Sequence, residues 1–156
     1  MIGLTCMDSL LPMKFTACSI VSLSLLVLTS SCSTVRPGKQ FGEVKLESLK
    51  TAYVVRHPKS SRDIDVYVQD ALTQHGVKAS RGSMETKPKD VDFYVEYVDH
   101  WNWDMAMYLL SLDIRFLDNA TGALIASGSF KQGFPHSFPD PEKKVNQVID
   151  NIYSAK

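Results

Sequence analysis

The sequence predicts an α+β domain: a mainly antiparallel sheet of four to five strands with two helices on one face, in the order β-α-β-β-β-β-α. Three observations carry this reading. Residues 91–130 contain three successive runs whose apolar residues recur at every second position, the period of half-buried strands. Two further segments repeat at helical spacing: Ile64, Val68, Ala71 and Leu72 ahead of Gly76, and Val145, Val148, Ile149 and Ile152 after Asp140-Pro141. The composition is that of a chain able to pack a core, with 44% hydrophobic and 22% charged residues among 156. Its 17 Lys+Arg cancel 17 Asp+Glu, which excludes a protein held on nucleic acid by bulk positive charge.

Thr51–Val55, β-branched and aromatic, is the first strand. Ser60 and Ser61 then offer N-cap oxygens, with Asp63 and Asp65 in the first turn, where the helix dipole favours acids. Positions two apart on a helix do not face each other, so these acids do not read as a catalytic pair. Gly76 is placed to end the helix in the left-handed conformation, and Val77 to Ser80 forms a brief second strand.

In the next strand Val91, Phe93, Val95, Tyr97 and Trp101 put the core face on odd numbers. The parity flips in its neighbour, where Ala106, Tyr108, Leu110, Leu112, Ile114 and Phe116 are apolar. Odd facing even requires a loop of even length, and a two-residue turn at Trp103-Asp104 meets that condition. This register sets Asp92 opposite Arg115 and Glu96 opposite Ser111. Leu124, Ala126, Gly128 and Phe130 continue the sheet after an odd-length loop, Asp118 to Gly122. A helix over 105–116 is the rival reading, because Met105, Tyr108, Leu109, Leu112 and Phe116 would share one face, but it explains neither parity match. Asp140 followed by Pro141 reads as an N-cap and N1 proline opening the last helix.

Ahead of this domain, Lys14 precedes an apolar run, Phe15 to Leu28, which ends in Thr29-Ser30-Ser31-Cys32. The run is shorter than the roughly 20 apolar residues of a spanning helix and is broken by serines. It has the charged start, apolar middle and small-residue end of a secretory signal. Leu28-Thr-Ser-Ser-Cys32 resembles a bacterial lipobox, which implies cleavage before Cys32 and lipidation of its thiol; simple cleaved secretion is the alternative. Residues 1–31 are therefore expected to be a signal segment, whose true start is Met13 rather than Met1 if the acidic Asp8 is outside it. Cys6 and Cys18 then leave no thiol behind, and Cys32 is the anchor. Ser33 is not the Asp that, by resemblance to the enterobacterial sorting rule, retains a lipoprotein at the inner membrane. The expected place is the periplasmic face of the outer membrane. Residues 32–43, with Pro37, Gly38 and Gly42, read as a tether, and 44–156 as a single domain.

The chain carries no recognisable chemistry. His57, His75, His100 and His136 lack metal-ligand spacing, and no phosphate loop or nucleophile motif is present, so no catalytic residue, metal or cofactor is assigned. What remains is the hairpin tip, where Trp101, Trp103, Met105 and Met107 gather large apolar area suited to an adaptable contact with a partner. Cover by the tether or the proline loop 133–139 is the competing explanation.

Ile64 to Gly76, Asp92 to Tyr97 and Asp118 to Gly128 together resemble a broad group of small Gram-negative envelope lipoproteins of unassigned function. The resemblance implies a non-enzymatic accessory role and nothing more precise. The expected function is binding in the envelope, with the membrane reached through Cys32 and an unidentified envelope protein or cell-wall component as partner. A carrier of an apolar ligand between sheet and helices, or an enzyme with an unrecognised site, are the alternatives.

Overall fold

A computed structural model describes residues 33–42, 44–60, 62–133 and 137–155. Its strands are β1 (Ser33–Gln40), β2 (Thr51–Val55), β3 (Lys78–Gly82), β4 (Phe93–Asp104), β5 (Ala106–Asp118) and β6 (Leu124–Gln132). The helices are α1 (Ile64–Gln74), between β2 and β3, and α2 (Pro141–Ser154), after β6. The six strands form one mixed sheet in the order β1-β6-β5-β4-β2-β3. Strand β2 is parallel to both β3 and β4, and every other pairing is antiparallel.

The α+β class stands, while three finer expectations are corrected. First, the sheet has six strands rather than four to five and is mixed, with three of its five pairings antiparallel, and a strand precedes the expected order. That strand lies in the expected tether, residues 32–43: β1 pairs with β6 from Ser33↔Gln132 to Gln40↔Ala126. Pro37 and Gly38 fall where the register shifts between Arg36 and Lys39, on an edge strand, the setting in which a sheet tolerates proline. The domain thus includes Ser33 and does not begin at 44.

Second, the β4–β5 register differs. Glu96 lies opposite Arg115, to which its carboxylate is bonded at 2.9 Å, and Ser111 lies opposite His100. Asp92 instead accepts from the backbone N–H of Lys50 and Thr51, at 2.7 and 2.8 Å, and these bonds hold its carboxyl below the usual carboxylate range. Third, the turn is not Trp103-Asp104. Asp104 and Ala106 pair across Met105, whose φ of 58° lies in the left-handed region that few non-glycine residues enter. A bulge at Leu110, between the pairs His100↔Ser111 and Trp101↔Leu109, absorbs the one-residue offset.

The core follows the parity expected for the body of the sheet. Phe93, Val95 and Tyr97 on β4, Leu112, Ile114 and Phe116 on β5, and Ala126 and Phe130 on β6 are all buried. They join Ile64, Val68, Ala71 and Leu72 of α1 and Val145, Val148, Ile149 and Ile152 of α2 in one cluster. Asp140 caps α2 by accepting from Glu142 and Lys143 N–H groups, with Pro141 at N1. Helix α1 starts later than Ser60-Ser61 suggests, with Asp63 as N-cap, and ends at Gly76 with φ 79°.

Candidate functional site

The register fixes which parts of the chain share one end of the sheet. Thr34, Lys131, Ser111 and His100 form one row across β1, β6, β5 and β4. Beyond it β1 and β6 add only Ser33 and Gln132, whereas β4 and β5 run on through four further pairs to Asp104 and Ala106. At a strand rise of about 3.3 Å per residue, this two-stranded ribbon overhangs the rest of the sheet by roughly 10 Å.

The inner part of the overhang is packed, with Leu109 and Tyr108 buried, while its tip from Asn102 to Met107 is exposed among the described residues. Trp103 and Met107 are cross-strand partners, so their side chains leave the ribbon on one face, and they are 68% and 43% exposed. Met105 at the apex is 88% exposed. Phe138, from the segment leading into α2, adds a ring that is 56% exposed and meets Tyr108 edge-on at 5.6 Å. From Trp101 to Leu110 the only charged side chain is Asp104.

Trp101 is different. It packs against the core, its indole Nε1–H donates to Asp99 at 2.6 Å, and the Arg62 guanidinium lies 5.1 Å from the ring centroid. Trp101→Ala should therefore cost about 2 kcal/mol of unfolding free energy and Trp103→Ala less than about 0.5. Urea denaturation of the two variants checks this, and an equal loss from both would place Trp103 in the core.

Sequence reasoning places Trp101, Trp103, Met105 and Met107 in one hairpin, and the structure separates the first from the other three. It missed Phe138 and Tyr108. The bulge at Leu110 puts Tyr108 across from Asn102, whose amide donates to its hydroxyl at 3.1 Å, and no periodicity signals a bulge. Phe138 lies outside any periodic run. Cys32 and His136 lie outside the described residues.

The other titratable groups do not converge. The Asp150 carboxylate accepts from His75 Nε2 at 2.8 Å, and the imidazole stacks on Tyr153 at 4.2 Å, joining the end of α1 to α2. Burial, with Glu47 nearby, pushes the Tyr153 hydroxyl up to about 12. Burial also raises Tyr97, whose hydroxyl accepts from the His57 N–H at 3.3 Å. Among the described residues no three His, Cys, Asp or Glu side chains are grouped to hold a metal ion, and no helix is long and apolar enough to cross a membrane.

No known protein family matches the sequence, and no curated protein resembles it significantly. Solved structures share its fold. PelC from Paraburkholderia phytofirmans, a dodecamer, superposes with a TM-score of 0.57 at 11% identity, over 80% of this chain and 99% of that one. A leucine-to-methionine variant of the same dodecamer gives 0.57 at 12% identity, with the same coverage. A PDZ domain protein from Parabacteroides distasonis reaches 0.48 at 12% identity, over 85% of this chain and 38% of that one. At these identities the likeness is one of fold: the chain is similar in architecture to PelC.

Proposed function

We propose that the chain is a lipid-anchored lipoprotein on the periplasmic face of the outer membrane, with a non-enzymatic binding role exercised through the tip of the β4–β5 hairpin. The observation that carries the binding role is the tip of the overhang, where Trp103, Met105 and Met107 present exposed apolar side chains among the described residues. Monomeric proteins seldom leave such side chains clustered at one projecting end unless something binds there. Support for the anchor comes from the apolar leader that ends in Leu28-Thr-Ser-Ser-Cys32. Two or more acyl chains on one residue hold a protein stably on a bilayer, where one holds it only marginally.

Mutation of the anchor tests the attachment. Wild-type chain recovered from Gram-negative envelopes should show an acylated Cys32 by intact mass and should pellet with membranes. Cys32→Ala should abolish the acyl addition. A wild-type mass without acyl groups would end the lipoprotein reading.

A further inference from the structure

We infer that the hairpin tip inserts into the interface of a lipid bilayer, and that it takes a neutral or zwitterionic surface rather than an anionic one. This rests on the lipid-anchor reading above and names what the tip contacts.

The first argument is position. Ser33 opens β1 and pairs with Gln132, one residue beyond the Thr34–Lys131–Ser111–His100 row. A peptide bond holds consecutive Cα atoms about 3.8 Å apart, so whatever is attached at Cys32 enters the domain at Ser33. Ser33, through which the chain from Cys32 enters the domain, therefore lies at the same end of the sheet from which the β4–β5 ribbon projects. Had β1 run the other way, the anchor and the tip would lie at opposite ends.

The second is reach. Neighbouring strands lie about 4.8 Å apart, so β1 and the β5–β4 pair are separated by roughly 10–14 Å across the sheet. The overhang along the strands is of similar size. A sheet inclined by about 45° to the membrane brings Ser33 and Met105 to one plane by this arithmetic. The strand β1 replaces the slack that a tether over residues 32–43 would provide, so the domain is held close to the surface to which Cys32 is attached.

The third is chemistry. Trp belongs at the bilayer interface, where its apolar ring is buried and its indole N–H stays wet, and Met and Phe suit the acyl boundary. Trp103, Met105, Met107 and Phe138 supply these groups. The sole charge between residues 101 and 110 is acidic, Asp104, and polybasic attraction to anionic lipid needs a cluster of Lys and Arg that the ribbon lacks. Insertion should therefore be insensitive to salt and should not require anionic lipid.

The two tryptophans make the test direct, because they are the only ones in the chain. The full chain, purified from envelopes, is reconstituted into phosphatidylcholine vesicles with and without bromine on the acyl chains. Wild type, Trp103→Phe and Trp101→Phe are compared, at low and high salt. The expected result is strong quenching in wild type, its loss in Trp103→Phe and its retention in Trp101→Phe, at both salt concentrations. Should Trp101→Phe fail to fold, the difference between wild type and Trp103→Phe still reports Trp103. Acylated chain that pellets with vesicles but leaves Trp103 unquenched overturns the inference while the anchor stands. So does a Trp103 that cross-links to an envelope protein and remains unquenched. Quenching of Trp103 in a chain without acyl groups would instead overturn the anchor and leave the tip in the bilayer. Quenching that appears only with anionic phosphatidylglycerol, or disappears in high salt, would refute the neutral-surface assignment.

Discussion

Gly38→Ala is expected to destabilise the domain by about 2–3 kcal/mol, the range of a severe overpacking change. A Cβ at position 38 would lie 2.6 Å from both the carbonyl carbon of Asn151 and the Cα of Ile152, and closer still to the Asn151 oxygen. These are backbone atoms of α2, and they have no rotamer through which to withdraw. Either β1 must leave β6 locally or the last turn of α2 must lift, and both moves disturb the bond from the Gln40 amide to the Ile152 carbonyl at 3.0 Å. Gly→Ala by itself restricts the unfolded chain and stabilises by about 0.4–1 kcal/mol, so the expected loss is the clash less this gain. Gly128→Ala is the control. Its Cβ would meet Ile152 Cγ1 at 2.8 Å and Val148 Cγ1 at 3.0 Å, side-chain atoms that are stiff at χ1 but not part of the backbone, and its cost should be somewhat smaller. Urea denaturation of the two variants reads the difference directly. A Gly38→Ala variant as stable as wild type would mean that residues 33–40 behave as a tether and are not docked.

Position 38 also shows why part of this fold was legible in the sequence and part was not. Alternation in β4, β5 and β6 depends on a two-residue period over long runs, and that period identified Phe93, Val95, Leu112, Ile114, Phe116 and Phe130 as core. Capping chemistry is local, so Gly76 at the end of α1 and Asp140-Pro141 at the start of α2 could be read directly. By contrast β1 holds Arg36, Pro37, Gly38 and Lys39, a composition that reads as linker because an edge strand is stabilised by its partner and not by its own residues. Its glycine serves a close approach to a helix more than 110 residues away, which no local pattern reports. The β4–β5 register failed for a similar reason. Parity tells odd from even but does not tell one odd offset from another, and the bulge at Leu110 changes even the parity near the tip. The candidate site was legible as a list of large apolar residues. Its division into a packed Trp101 and an exposed Trp103 depends on where the sheet ends, which only the assembled topology decides.

Arg81→Leu is expected to cost about 2–3 kcal/mol, more than Asp65→Asn, although the two residues form one ion pair. Asp65 is 1% exposed at the start of α1, and its Oδ2 accepts from the Arg81 guanidinium at 2.8 Å. Its Oδ1 is buried with no hydrogen-bond partner among the described residues. Sequence reasoning takes Asp65 as a first-turn acid in the helix dipole, and the residue does lie there, but its carboxylate is turned inward onto two arginines. Arg81 is held in place by Gln69, whose Oε1 accepts from the Arg81 Nε at 2.9 Å and whose amide donates to the Ala79 carbonyl at 3.1 Å. The second cation, Arg56, is 3.7 Å from the carboxylate and more than half exposed, so it compensates weakly. The asymmetry follows from burial. Removing Arg81 leaves a carboxylate with nearly all of its desolvation and little of its attraction, and breaking fully buried pairs this way costs about 3–5 kcal/mol. The lower figure expected here reflects an Arg81 side chain that is 38% exposed, together with the remaining Arg56. Removing the charge of Asp65 instead leaves two arginines that can turn to water. The double variant should then be no less stable than Arg81→Leu alone, because the stranded charge is gone. A double-mutant cycle by urea denaturation measures all three. If Arg81→Leu proves cheaper than Asp65→Asn, the carboxylate is stabilised by the helix N-terminus and not by the arginines, and the link between β3 and α1 rests on apolar packing alone.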